Sequence, residues 1–413
     1  MVVAVAGAGI GGLVAALSLH QAGIPVRVFE AVRKVEPLGV GINILPHAVR
    51  ELFALGLEEA LLEIGVKTAA LAYFSKRGQP IWQEPRGREA GYDWPQISIH
   101  RGLLQQLLYR TAVERLGPGN VVTGHRVEAW REGGDRVTCQ LLRQADGAQV
   151  EVEASLLVGA DGIHSAVRQQ LYPDEGPPIW NGAVLWRGVT RGIPFLDNRT
   201  MIMAGHEFQK FVCYPIAPHG EPVINWIAEL KFRPDHHWRR EDWNRHGQLK
   251  DFLPRFATWR FGWLDVPVLV EAAQGCFEYP MVDREPLPQW SFGRVSLLGD
   301  AAHAMYPIGS NGASQAIIDA KVLAREIRDC GETPQALVSY EAERRPATSA
   351  IVLANRRNGP EQVMQMVEER APDGFADVSE VLQAQELEAV ASAYKKIAGF
   401  SIEELNARPP ILG

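Results

Sequence analysis

Val2-Val3-Ala4-Val5-Ala6-Gly7-Ala8-Gly9-Ile10-Gly11-Gly12 opens the chain and sets its architecture. The uncharged run Val2–Ala6 reads as a short parallel strand, apolar on both faces and therefore covered on both. Ile10, Leu13, Leu17 and His20 follow at helical spacing, and Gly23 supplies a C-cap. Val26-Arg27-Val28-Phe29-Glu30 then reads as a second strand. Strand, glycine turn, helix and strand together form a dinucleotide-binding unit. Gly7 permits the tight turn, Gly9 lets backbone approach a pyrophosphate, and Gly12 lets helix and strand pack closely. Free N–H groups at the helix start meet the phosphate charge. Glu30, at the end of the second strand, suits a ribose with both hydroxyls free and disfavours a 2′-phosphate. An N-terminal signal or anchor would share the apolar run Val2–Leu19. However, no Lys or Arg precedes it, and four glycines interrupt it.

Two more strands deliver motifs of the same kind. Ala154-Ser155-Leu156-Leu157-Val158-Gly159-Ala160 reads as a buried strand ending at Asp161-Gly162, with Ser165 and Arg168 on the helix that follows. Taken alone, that is an ordinary strand-to-helix turn. Arg294-Val295-Ser296-Leu297-Leu298 reads as a fourth strand, ending at Gly299-Asp300 and continuing through Ala301-Ala302-His303 and Pro307 to Gly309, Asn311 and Gly312. A helix is expected from Asn311-Gly312, with Ala313, Ala316, Ile317, Ala320, Ala324 and Ile327 as its buried stripe. Its N-terminus carries partial positive charge.

These three motifs, in this order, resemble the single-component FAD-dependent aromatic monooxygenases. The likeness is strongest to the phenazine hydroxylases, through Pro37–Ile44, Ser98–Gly102, Trp186–Thr190 and Tyr279–Arg284, and next to salicylate-hydroxylase-like enzymes. It implies an α/β fold: a Rossmann-like FAD-binding domain, a mostly antiparallel β-sheet substrate domain, and C-terminal helices. By the same resemblance Asp300 binds a ribityl hydroxyl of FAD. Val40 and Gly41 run beside the isoalloxazine, Arg101 reaches the diphosphate or ribityl region, and Val127 touches adenine. Asp161 lies beside the flavin on the nicotinamide approach. Pro307 and Gly309 belong to the segment near flavin C4a, and the helix at Asn311-Gly312 points at the N1–C2=O edge. Taken singly, Arg101 reads as a solvated charge at a helix start. The implied reaction uses NADH or NADPH and O2 to hydroxylate a small planar aromatic through a C4a-hydroperoxide, replacing hydrogen or a carboxylate. No metal and no catalytic acid or base is assigned; His47, His206, Tyr214 and Tyr306 are the candidates. The chain departs from the broader pattern at Ser310 and Ser314, where many members carry glycine, and at Ile318, where many are acidic.

A net charge of −7 over 413 residues, with no basic run, argues against a nucleic-acid surface. Cys139, Cys213, Cys276 and Cys330 are widely spaced, as expected of reduced thiols in a cytoplasmic protein. The expected organisation is a discontinuous FAD domain from 1–75, 94–178 and 280–330, a substrate domain over 179–279, and a helical region over 331–413. The middle segment holds Trp186, Phe208, Phe211, Tyr214, Trp226, Trp238 and Trp243, which serve either as sheet core or as a wall for a flat ligand. Thr333-Pro334 starts a helix, and Leu387, Val390, Tyr394 and Ile397 form an apolar stripe that folds onto the body of a monomer or homodimer. Three rivals remain. An NAD-dependent dehydrogenase leaves two motifs unused, a flavin halogenase lacks its WxWxIP string here, and a flavin-based redox sensor would carry the same motifs.

Overall fold

The computed structural model describes residues 1–233, 245–397, 399 and 401–412. Its organising element is a five-stranded parallel sheet in the order Val295–Leu297, Leu156–Gly159, Val3–Ala6, Val26–Phe29, Val121–Val122. All four residues of Val3–Ala6 are buried, as an apolar strand covered on both faces requires. The register decides what the sheet can do. Ala6 pairs with both Phe29 and Gly159, and Gly159 pairs with Leu297. Four adjacent strands therefore stop level with one another. Gly7, Asp161 and Gly299 leave the sheet at one carboxyl edge, where open α/β sheets bind their ligands.

The helix Ile10–Gln21 packs on the helix Gly312–Cys330. The second helix is buried around its whole circumference between Ser314 and Ala324, wider than the expected stripe. The reason is a second and third neighbour, the helices Pro46–Phe53 and Pro334–Asn355, which cover its other sides. Thr333 caps Pro334–Asn355 by accepting the Ala336 N–H at 3.4 Å, as the Thr-Pro pair predicts. The apolar opening run is divided between buried strand and buried helix, and no described helix is long and apolar enough to cross a membrane.

A seven-stranded sheet stands over the carboxyl edge, in the order Cys276–Asp283, Ile179–Arg191, Val223–Lys231, Gln209–Pro215, Thr200–His206, Ala70–Phe74, Pro80–Pro85. All its pairings are antiparallel except that of Thr200–His206 with Ala70–Phe74. Ala70–Phe74, placed by the sequence in the first FAD-domain segment, pairs in this sheet, and Pro80–Pro85, left unplaced by the sequence, closes its edge. Ala70–Phe74 pairs with Thr200–Ala204, 130 positions further along the chain, which local pattern cannot reveal.

Period-two alternation splits the middle aromatics between two faces. Trp186, Phe211 and Trp226 lie on the outer face, in a core with Phe252, Phe256 and Trp259. Tyr214 faces the other way, with Tyr73, Met201 and Met203, and this inner face packs on the C-terminal helices. Phe208 is exposed, and Trp238 and Trp243 lie outside the described residues. Most of the aromatic surplus is thus sheet core, not ligand wall. On the C-terminal helix Ala384–Ile397, Leu387 and Tyr394 are buried and Ile397 is exposed, so the stripe docks but ends before Ile397. The four cysteines are free thiols, three buried and Cys330 exposed.

Candidate active site

At the first motif each glycine has a separate reason. Gly7 has φ +99°, and a Cβ there would sit 2.5 Å from the Ala160 carbonyl oxygen. A Cβ on Gly12 would overlap the Gly7 carbonyl oxygen. Around Gly9, by contrast, no atom of the described residues beyond its chain neighbours lies within 4 Å of where a Cβ would be. The helix starting beside it has no side-chain cap and no acidic residue in its first turn. Open space and uncapped N–H groups together make room for an anion. Glu30 is held at this edge, its carboxylate accepting the Ala8 N–H at 2.7 Å and the Val32 N–H at 2.9 Å. The Glu30 carbonyl accepts the His125 N–H at 2.8 Å, which brings Val127, two residues on and buried, to the same corner.

Val40, Gly41 and Arg101 also converge. The Arg101 N–H donates to the Val40 carbonyl at 2.9 Å, and Gly41 pairs with His100 across the sheet of Gly41–Ile44, Gln96–His100 and Gly65–Thr68. Two residues that sequence reasoning missed fix Gly41 from the seven-stranded sheet. Its N–H donates to Asn225 Oδ1 at 2.7 Å, and its carbonyl accepts Arg187 Nη2 at 2.7 Å. A Cβ on Gly41 would come 2.7 Å from the Asn225 side chain, so close approach requires the glycine. Asn225 is 184 residues from Gly41, and no local signal marks it. The Arg101 guanidinium is exposed at the start of the helix Arg101–Leu116.

Asp300 begins the short helix Asp300–His303 and is exposed, with no side-chain partner among the described residues. The residues behind it are tightly engaged. Asp319 accepts the Gly299 N–H at 3.1 Å and Arg344 Nε at 2.8 Å, and meets the His303 ring at 2.5 Å. Arg344 continues to Gln315 at 2.6 Å, and Gln315 to Asn311 at 3.2 Å. Asn311 precedes Gly312, whose Cβ position is as open as that of Gly9, and the helix Gly312–Cys330 also lacks a side-chain cap. The departures at 310 and 314 have physical readings. Ser310 sits at φ +58°, a conformation that favours glycine, whereas the Ser314 hydroxyl accepts the Leu45 N–H at 3.1 Å.

Tyr394, expected only as part of an apolar stripe, secures this loop. Its hydroxyl accepts Asn311 Nδ2 at 2.9 Å and donates to Asn355 Oδ1 at 2.7 Å, with the Ile308 carbonyl 3.2 Å away. Its ring fills the place a Gly309 side chain would take. Tyr394→Phe leaves buried amides without a partner, a loss of about 1–3 kcal/mol. FAD affinity should fall by roughly tenfold; equal dissociation constants by fluorescence titration would contradict that role.

The second motif braces the third. Asp161 accepts the Ala166 and Val167 N–H groups at 2.8 and 3.4 Å and the Ser165 hydroxyl, so its carboxylate caps the helix Ala166–Leu171. Arg168 donates to the Ala301 and Ala302 carbonyls at 3.0 Å each.

None of the candidate bases gains a strong case. Burial pushes the Tyr214 phenol up to about 12. Burial and the nearby Asp283 carboxylate raise Tyr306. His206 sits at the far end of its strand, its Nδ1 accepting the Phe208 N–H at 3.3 Å. His47 is enclosed, and burial, with Arg344 and Arg50 nearby, lowers it from 6.5 to about 3. An unfolded chain would bind a proton there between pH 6.5 and about 3 while the folded one would not, so stability falls as pH drops through that window. His47→Gln should lose less stability between neutral pH and about pH 4.5, by roughly 2 kcal/mol, in denaturant titrations. An unchanged difference would contradict the burial of a neutral ring.

An anion-ready edge with two uncapped helices, beside a largely antiparallel sheet, has the geometry of a dinucleotide-binding protein. The family model described as FAD binding domain matches residues 1–183 and 279–355, more than half of the chain. Over 362 residues the chain is 50% identical to phenazine 1,6-dicarboxylic acid hydroxylase PhzS of Lysobacter antibioticus, covering 86% of this chain and 89% of that one. It is 30% identical over 379 residues to a salicylate hydroxylase of Pseudomonas putida, covering 83% and 82%. The solved structure of a salicylate hydroxylase substrate complex aligns with 100% of this chain and 98% of its own at TM-score 0.75 and 24% identity, a likeness of fold. The chain belongs to the FAD-dependent aromatic hydroxylase family. It is a flavoprotein monooxygenase with FAD as cofactor and, as is typical of its family, NADH or NADPH as electron donor.

Proposed function

We propose that this enzyme hydroxylates a planar aromatic carboxylic acid, phenazine-like before salicylate-like, with NADH as electron donor. The observation that carries this reading is the 50% identity, over 86% of the chain, to an enzyme named for phenazine 1,6-dicarboxylic acid. In the proposed assignment Gly7, Gly9 and Gly12 receive the FAD pyrophosphate, Glu30 the ribose and Val127 the adenine. Arg101 and Asp300 hold the diphosphate and ribityl chain. Val40 and Gly41, fixed by Arg187 and Asn225, lie along the flavin ring, and Asp161 acts through the helix it caps. Gly309, Asn311 and Gly312 present backbone N–H groups and a helix N-terminus to the ring, and Pro307, which has no N–H, lines the same segment. Bound FAD supplies the hydride acceptor and the oxygen-activating centre. The protein orients the substrate, excludes water, and places a helix dipole where negative charge develops, a contribution of a few kcal/mol by order of magnitude, about that of an oxyanion-hole donor.

The test is a panel of phenazine carboxylic acids, salicylates, phenols and non-aromatic acids with each nicotinamide nucleotide. Products are scored by mass spectrometry for oxygen gain and CO2 loss. Oxygen gain and fastest NADH oxidation with phenazine carboxylic acids are expected. Oxygen gain confined to salicylates or non-aromatic acids, or a strong preference for NADPH, would overturn the corresponding part.

A further inference from the structure

A cavity beside Gly309 and Ser310 is also lined by Tyr73, Glu84, Arg86 and Lys395. They come from the two strands Ala70–Phe74 and Pro80–Pro85, the residue just after the second, and the C-terminal helix Ala384–Ile397. Glu84 accepts Arg86 Nη2 at 2.5 Å and Lys395 Nζ at 2.8 Å. Burial alone would raise the Glu84 carboxyl, but the two cations hold it below its ordinary value. Two cations thus share one carboxylate in a wall that is otherwise largely apolar.

The donors here are incompletely used. Among the described residues, Arg86 Nε is buried without a hydrogen-bond partner. Tyr73 is 2% exposed, and its phenol faces the Arg86 guanidinium without a hydrogen bond of normal geometry. Unmet buried donors cost free energy that an incoming acceptor would recover. The nearby Lys210–Glu229–Glu361 cluster does not compete for that acceptor. Lys210 is buried between its two carboxylates, and burial with the adjacent Glu361 pushes Glu229 up. Leu71, Met201 and Met203 supply the apolar part of the cavity, with methionines able to adapt to a flat ring.

Resting on the aromatic-acid reading above, we propose that Arg86, Lys395 and Tyr73 form the carboxylate anchor of the substrate cavity, with Glu84 as the resident counter-ion they share. A guanidinium presents a donor fork matched to carboxylate, and Lys395 adds a movable point charge. The site therefore selects aromatic acids over their uncharged amides.

Equilibrium binding to the FAD-loaded enzyme tests this, using phenazine-1-carboxylate and phenazine-1-carboxamide as probes. Wild type should bind the carboxylate roughly tenfold to a hundredfold more tightly. Lys395→Met should lose about tenfold of that preference with carboxamide binding unchanged. Glu84→Gln, which removes the internal competitor, should tighten carboxylate binding. Structural damage would instead weaken both probes in both variants. Equal binding of the two probes by wild type, an unaltered preference in Lys395→Met, or weaker binding of both probes in Glu84→Gln would overturn the anchor and leave the aromatic reading standing. Binding of neither probe would defeat both.

Discussion

Gly9→Ala should produce a folded protein that no longer retains FAD. The Gly9 backbone, at φ −70° and ψ 177°, accepts an alanine without strain, and no atom of the described residues beyond its chain neighbours lies within 4 Å of the added carbon. The FAD-free variant should therefore match wild-type stability within about 0.5 kcal/mol. The methyl group would occupy the space assigned to the pyrophosphate, so FAD affinity should fall on the order of a hundredfold. Gly12→Ala provides the contrast. Its Cβ would strike the Gly7 carbonyl and press on the Ala160 side chain, so the chain itself should lose roughly 3 kcal/mol or more. Flavin content and thermal unfolding of the stripped proteins separate the two cases. Wild-type FAD affinity in Gly9→Ala would contradict the assigned contact.

Asp300→Ala should also lose FAD, by a different route. The exposed Asp300 carboxylate has no partner within the described protein, so its removal costs the fold little. The cost should fall on the ribityl hydroxyls, about 1–3 kcal/mol or roughly fivefold to 150-fold in dissociation constant. Unchanged thermal stability of the FAD-free protein with weakened binding is the expected pair of results. Equal affinity in wild type and variant would remove Asp300 from the cofactor site.

How much of this was legible in the sequence depended on distance along the chain. Gly7, Gly9 and Gly12 could be read locally because each answers to backbone geometry within a single turn, and the structure places them in a tight turn, an open space and a close contact respectively. The three strand ends were each visible, but their common level follows from register, which no single segment encodes. Asn225 had no such signal, and Arg187 was marked only as part of the Trp186–Thr190 resemblance and not by its contact, since their partner Gly41 lies far away in sequence. Tyr394 was read as one apolar position among several, because helical spacing reports burial and not the hydroxyl's partners. The aromatic middle segment misled for a related reason. Composition counts rings without saying which face of a strand they occupy, and alternation puts Trp186 and Trp226 on the outer side.

Oxygen-isotope labelling tests the central assignment most directly. The FAD-loaded enzyme is supplied with NADH, phenazine-1-carboxylate and 18O2, and the organic product and NADH consumption are measured together. One 18O atom should enter the ring for each NADH oxidised, with the label absent when water alone carries 18O. NADH oxidation yielding only hydrogen peroxide, with no label in this or any other aromatic acid offered, would contradict an aromatic monooxygenase built on this edge.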